Sequence, residues 1–205
     1  MRRLSLTLIA AIAVLLAAAA VTSAADTRTL RVPSVGLSFS VPKSWRTVDA
    51  RVAAGQAGRT LRKENPQLAG LLDTIAQPNS PVKLLAFDPK PVDNFSTNVN
   101  VVVSPVPSTA TFDQLRQATA DELGKLPGLI GTPTVWVTTL PAGRTIRTKL
   151  RAGIVVDGKT KVAEINQMAF LRSAKSIVVT FTTIASNAKR FKPVVNAGAR
   201  SIRFS

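Results

Sequence analysis

The chain has 205 residues, with 27 lysines and arginines against 11 aspartates and glutamates, a formal net charge of +16, and neither histidine nor cysteine. This composition excludes disulfide bonds, thiol catalysis, the Ser-His-Asp triad and most transition-metal sites, because each needs one of the two missing residue types. The positive charge favours an anionic partner without identifying it.

The first 25 residues have the composition of a secretory signal peptide. Arg2 and Arg3 precede an apolar run over residues 6–21, and small residues follow, so we expect cleavage after Ala24 or Ala25. The run is shorter than the roughly 20 residues of a membrane-spanning helix, and retention as an anchor is the alternative. Residues 1–25 are therefore predicted to be a cleaved signal, with no transmembrane segment afterwards. Residues 26–205 are predicted to form a single secreted, extracytoplasmic domain.

Two elements in the first half of this domain have clear local signals. Residues 36–41 alternate apolar and polar side chains up to Pro42, and Trp45 is predicted to cover one end of the core. Asn65 and Pro66 stand in the order of an N-cap and a first helical residue, which predicts an amphipathic helix of about three turns. Further strands are predicted over residues 29–32, 82–87 and 97–103.

A capping box predicts a second helix. Thr111 is the expected N-cap and Gln114 follows three residues later, while Pro127-Gly128 is expected to end the helix. In the strand before it, Asn98 and Asn100 are expected on a solvated face. The predicted buried stripe of the helix consists of Phe112, Leu115, Thr119, Leu123 and Leu126.

A strand over residues 134–140 leads into three further strands between Arg144 and Ile184, which we predict to be the centre of an antiparallel sheet. A two-residue turn at Asp157-Gly158 would place Arg147 opposite Met168. A three-residue loop with a bulge would move each side chain to the other face. Because Met168 belongs to the most apolar set of the chain, we predict the three-residue loop. The core face then carries Ile146, Thr148 and Leu150, and the opposite face carries Arg147, Lys149 and Arg151.

The last helix is predicted to begin near Arg190, because Pro193 fits a helix without loss of a hydrogen bond only in the first turn. Residues 201–204 are predicted to close the chain as a short strand.

Gly36, Phe39, Pro42 and Trp45 are spaced as G-x-x-F-x-x-P-x-x-W, and the chain closes with a strand, a helix and a strand. In these features and in its element order, over about residues 30–204, the chain resembles the PsbP-like α/β sandwich family. Within that family it is most similar to the group of the actinobacterial LpqN and LpqT lipoproteins and DcrB. The resemblance implies an α+β fold, an antiparallel β-sheet flanked by helices, used as an accessory or binding module without known enzymatic machinery. The lipobox cysteine of the lipoproteins is absent here, which favours free secretion.

The residues do not favour an enzyme, and no cofactor is predicted. The acidic residues are scattered, and only Asp121 and Glu122 are adjacent, on different sides of a predicted helix. A hydrolase with a serine–lysine site is a remote alternative. Lys175 and Ser176 are the obvious pair, but consecutive strand residues point to opposite faces.

A basic stripe, defined as Arg147, Lys149 and Arg151, is the most specific candidate binding feature. Arg144 and Lys161 are expected nearby, and we hypothesise that this face recognises an anionic envelope polymer or phospholipid headgroup. Nucleic acid is not expected, because the chain has no tyrosine and its two tryptophans lie outside basic runs.

Two alternatives stay open. In the first, the stripe is only a solvated outer face whose side-chain stems cover Ala163 and Ile165 across the hairpin. In the second, the protein is a scaffold or assembly factor that docks a protein partner through an apolar cleft between helix and sheet.

Overall fold

The computed structural model describes residues 26–205, so the predicted signal peptide lies outside the described residues. No helix in the described part is long and apolar enough to cross a membrane. The strands are β1 (Thr27–Val32), β2 (Leu37–Pro42), β3 (Arg46–Val48), β4 (Val82–Phe87), β5 (Asn98–Pro105), β6 (Leu129–Leu140), β7 (Gly143–Val156), β8 (Lys159–Arg172), β9 (Lys175–Ile184) and β10 (Arg203–Phe204). The helices are α1 (Ala50–Ala54), α2 (Gln56–Glu64), α3 (Ala69–Ala76), α4 (Phe112–Leu123) and α5 (Ala188–Ser201).

The strands form two antiparallel sheets. The large sheet has seven strands in the order β3-β4-β5-β9-β8-β7-β6, and the small sheet has three in the order β1-β2-β10. The predicted α+β class, an antiparallel sheet flanked by helices, is confirmed. The predicted meander is also confirmed, because β7, β8 and β9 pair consecutively along the chain.

Both faces of the large sheet are covered. The inner face, as we call it, packs against the small sheet and α5, with Val99, Val179 and Phe181 at its centre. The outer face packs against α1, α2 and α3 near β4 and against Leu123 of α4 near β7. The sheet is therefore buried on both sides over much of its area, unlike an antiparallel sheet with one wet face.

The predicted register of the first hairpin is wrong. Val156 pairs with Lys159 and Arg147 pairs with Met168, as a two-residue turn requires. Both turn residues have positive φ, 50° at Asp157 and 71° at Gly158, which is the primed turn that suits the strand twist. The prediction assumed a single buried face, whereas Ile146 is buried on the outer face and Met168 on the inner one.

We expect Gly158→Ala to lower the free energy of unfolding by about 1 kcal/mol, since a Cβ is strained at positive φ. Gly70→Ala is the control. Gly70 lies in α3 with nothing within 4 Å of an added Cβ, so alanine there should stabilise the protein by up to about 1 kcal/mol. Urea unfolding measures both variants, and shifts of the same sign would contradict the assigned turn.

Burial of the outer face overturns two further expectations. Asn98 and Asn100 are buried rather than solvated, because α1 to α3 cover this part of the sheet. The Asn98 amide donates to the main-chain carbonyl of Ser96 at 3.1 Å. Asn65 does not cap α3 with its side chain. Its side-chain oxygen Oδ1 instead accepts a hydrogen bond from the hydroxyl of Ser96 at 2.7 Å.

The helices differ from prediction mainly at their ends. The capping box of α4 is confirmed, but α4 ends at Leu123, and Leu126 of the predicted stripe is exposed. Helix α5 begins at Ala188, so Pro193 lies in its second turn rather than its first. Helices α1 and α2 were not predicted.

Helix α5 approaches the inner face closely. A Cβ at Gly198 would lie 2.6 Å from the ring of Phe181, so glycine permits this approach. The ring of Phe191 stacks on Trp45 with centroids 5.8 Å apart. The predicted role of Trp45 as a cover of the core is confirmed, because its side chain is buried there.

Candidate functional site

The inner face is apolar where the small sheet and α5 cover it and becomes polar and basic towards β6. Directly paired residues of antiparallel strands lie on the same face, so the register defines a row that crosses six strands. Its apolar end is buried under the small sheet and α5. Its other end, towards β6, carries a half-buried arginine and a tryptophan that is 37% exposed. The row is Leu84, Val101, Val179, Met168, Arg147 and Trp136.

A cleft of about 400 Å³ lies where the core ends, between α5 and strands β7 and β8. We call it the basic cleft. It is lined by the cations Arg147, Lys149, Lys189 and Lys192, by one carboxylate, Glu164, by the amides Asn166 and Asn196, and by Ala188, Phe191 and Val195. Four positive charges against one negative charge make it a site for an anionic group.

Arg147 is the cation most removed from water in this cleft. Its Nε is buried and has no hydrogen-bond partner, and burial lowers the pKa of its guanidinium. The carbon at the centre of the guanidinium lies 5.5 Å from the ring centroid of Trp136, within cation–π range. A half-buried guanidinium whose buried Nε has no acceptor is costly for the fold.

The carboxylate neutralises only part of the charge. Glu164, with a side chain 12% exposed, lies 3.3 Å from the ammonium of Lys149. Within residues 26–205, no carboxylate forms an ion pair with Arg147, Lys189 or Lys192. These three positive charges remain available to an incoming anion.

The predicted site residues separate into two groups. Arg147 and Lys149 line the basic cleft, and Arg151 lies on the same face, opposite Glu164. Arg144 and Lys161 do not adjoin the stripe, contrary to expectation. Arg144 lies on the outer face, 3.4 Å from Asp113 and stacked 4.2 Å above the ring of Phe112 in α4. Lys161 donates to the main-chain carbonyl of Asp93.

Lys149 and Arg151 are exposed to solvent, as the first alternative expects, but Arg147 is half-buried and the stripe does not cover the two residues named in that alternative. Ile165 packs beside Leu150 and α4 on the outer face, so the stems of the basic stripe do not cover it. Ala163, which pairs with Ala152, lies on that same outer face.

The half of the cleft that α5 supplies was not predicted from the sequence. Lys189, Lys192 and Asn196 follow a helical i, i+3, i+7 spacing and so share one side of α5. This spacing is visible in the sequence, but only the docking of α5 on the inner face brings these residues to Arg147.

The structure also locates the residues of two other hypotheses, the serine–lysine site and the apolar docking cleft. Lys175 and Ser176 are consecutive in β9 and Ser176 is buried, so the strand turns their side chains to opposite faces. The geometry does not assemble a serine–lysine pair. A separate, mainly apolar cleft of about 440 Å³ lies between α4 and the segment after β5, with Leu115, Ala118 and Leu171 in its wall.

The fold is that of the PsbP-like α/β sandwich proteins. The structure of LpqN, involved in cell envelope biogenesis of Mycobacterium tuberculosis, matches with a TM-score of 0.53 at 14% identity, over 87% of this chain and 90% of LpqN. Cyanobacterial PsbP (CyanoP) from Synechocystis sp. PCC 6803 matches with a TM-score of 0.51 at 16% identity, over 93% of this chain and 99% of CyanoP. The Saccharomyces cerevisiae Ran-binding protein Mog1p matches with a TM-score of 0.50 at 11% identity, over 87% of this chain and 95% of Mog1p.

These identities are low, so the likeness establishes the fold alone. No protein-family model matches the chain, and no curated protein sequence matches it.

Proposed function

We propose that this chain is an exported, non-catalytic binding or accessory protein of the cell envelope, whose basic cleft receives an anionic group of its partner. The observation that carries the proposal is the excess of cations in the cleft, with an unpartnered Nε on Arg147. A phosphate or carboxylate group of an envelope component supplies acceptors to the cations of this cleft.

Features outside the cleft support an envelope location. Residues 1–25 have the composition of a cleaved signal, which leaves residues 26–205 as a single exported domain. LpqN, which shares the fold, is described as involved in cell envelope biogenesis, and Mog1p is described as a Ran-binding protein. Both descriptions concern those proteins; the first favours an envelope role for this chain and the second a binding role.

A scaffold or assembly role is the second candidate. The apolar cleft beside α4 is the kind of surface this role needs, because its wall is formed largely by Val106, Pro107, Leu115 and Leu171. Binding of a protein partner that persists at high salt and is unaffected by changes in the basic cleft would favour this candidate.

The triple variant Arg147→Gln, Lys149→Gln, Lys192→Gln is expected to weaken binding to vesicles that contain phosphatidylglycerol by tenfold or more, because it removes three of the four cleft cations. Phosphatidylcholine vesicles should not bind the unaltered protein. Co-sedimentation at low ionic strength and at about 0.15 M salt measures both, and the dependence on salt should flatten in the variant.

A control variant separates the cleft from overall charge. Lys63, Lys90 and Lys125 are exposed and lie outside the cleft, so their replacement by glutamine changes the net charge equally. If the control variant loses as much binding as the cleft variant, or if anionic vesicles and a soluble anionic envelope polymer are both ignored, the proposal is wrong.

A further inference from the structure

Strand β6 is a long edge of the large sheet. It pairs with β7 on one side, and no strand of residues 26–205 pairs with its other side. The strand has 12 residues with the sequence LIGTPTVWVTTL, none of them charged. The main-chain N–H and C=O groups on the unpaired side of β6 therefore lie at the sheet edge. No charged side chain of β6 protects them from pairing with another strand.

Natural proteins usually protect such an edge with charges, a proline, a bulge or a short length. In β6 the protection is confined to the first part, where Pro133 lies within a register shift between Ile130 and Thr134. Residues 134–140 pair with β7 without interruption. Trp136 is 37% and Val137 is 40% exposed, and as consecutive strand residues they face opposite sides. The free edge of residues 134–140 can therefore pair with one more strand.

The neighbouring strand indicates what kind of strand fits. Lys149 and Arg147 of β7 lie directly beside Thr134 and Trp136, so part of the basic stripe runs along the edge on the inner face. A strand added to β6 lies about 10 Å from β7, two strand spacings away, within reach of long basic side chains. Acidic residues at alternate positions of that strand would face these cations.

A second copy of this chain fits poorly. The strand that a second copy would add is β6 itself, which has no charged residue and so brings no carboxylate to Arg147 and Lys149. The two basic stripes would lie three strand spacings apart. An acidic partner gains an attraction that a second copy lacks.

We propose that residues 134–140 of β6 dock an extended acidic segment of a protein partner, which continues the sheet by main-chain pairing while its carboxylates meet Arg147 and Lys149. This docking goes beyond the proposed function of the basic cleft. It needs the sheet edge and two residues of the stripe, but not Lys189 or Lys192 of α5.

The test uses a synthetic peptide of about nine residues in which glutamate and valine alternate, a typical strand length. Binding to the full protein is measured by fluorescence anisotropy of the labelled peptide. We expect binding that is at least tenfold weaker when lysine replaces glutamate. Two further peptides carry N-methyl groups, one on all glutamates and the other on all valines. Each methylation removes the main-chain donors of one edge of the peptide. At least one of the two peptides should therefore bind at least tenfold more weakly than the parent peptide.

Two variants separate this edge from the basic cleft. Thr134→Glu with Thr138→Glu places carboxylates on the inner face of the edge strand, beside those of the bound peptide, and should weaken the acidic peptide by tenfold or more. Lys192→Gln alters only the cleft and should leave peptide affinity within about twofold. Equal binding by both methylated peptides and the parent, equal binding of the lysine peptide, or no binding of the parent would overturn the inference. Binding to anionic vesicles would be unaffected by that failure, so the cleft proposal is judged separately.

Discussion

Phe181→Ala is expected to lower the free energy of unfolding by about 3–5 kcal/mol, the usual cost of removing a fully buried phenylalanine. The side chain of Phe181 is completely buried on the inner face. Its ring meets Phe39 of β2 edge-on, with centroids 6.4 Å apart, and Phe191 of α5 at 6.2 Å. Truncation opens a cavity at the point where the large sheet, the small sheet and α5 converge.

Thr182→Ala is the matched control for this change. Thr182 is the next residue of β9, is half-buried and faces the other side of the sheet. We expect it to cost about 1 kcal/mol or less. Urea unfolding monitored by tryptophan fluorescence reports on both variants, since Trp45 stacks on Phe191 beside the cavity. Similar losses in the two variants would mean that Phe181 is not the centre of the core.

The second half of the fold was predictable because its strands are dense in β-branched residues and are separated by tight turns. The register was not, because alternation shows which residues share a face but cannot rank two faces that are both covered. Ile146 and Met168 are both buried, on opposite faces. Nothing in the strand sequences indicates that α1, α2 and α3 cover one of these two faces.

The first two helices show a different limit. Ala53, Gly58 and Leu61 are the residues that α1 and α2 bury, and two of these three are too small to produce a strong apolar pattern. Their helical conformation depends on contacts with α3 and β4 that a local reading does not contain.

The candidate site was predictable to the extent that it lies on one strand. Arg147 and Lys149 are two residues apart, so the strand period alone places them together. Lys189 and Lys192 join them only because α5 docks at the end of the core, a position that the contact of Gly198 with Phe181 permits. Tertiary contacts of this kind cannot be read from spacing along the chain.

Arg147→Met is expected to change stability and binding in opposite directions. Methionine has an unbranched stem of similar reach but no buried donor, so removal of the unpartnered Nε should raise the free energy of unfolding by about 1 kcal/mol. Burial lowers the pKa of the guanidinium by disfavouring its charged form, so the charged group weakens the fold below that pKa. Because arginine stays protonated at ordinary pH, the gain should be constant between about pH 5 and pH 9.

Binding to phosphatidylglycerol vesicles should fall tenfold or more in the same variant, because the most desolvated cation of the cleft is lost. Lys149→Met is the matched control: it should also weaken binding, but it should not stabilise the fold, since it leaves Glu164 without its partner at 3.3 Å. A gain in stability paired with a loss of binding is typical of a residue retained for its ligand. If Arg147→Met destabilises the protein, the guanidinium stabilises the fold through contacts such as that with Trp136. If vesicle binding is unchanged in the variant, the basic cleft is not the anion site.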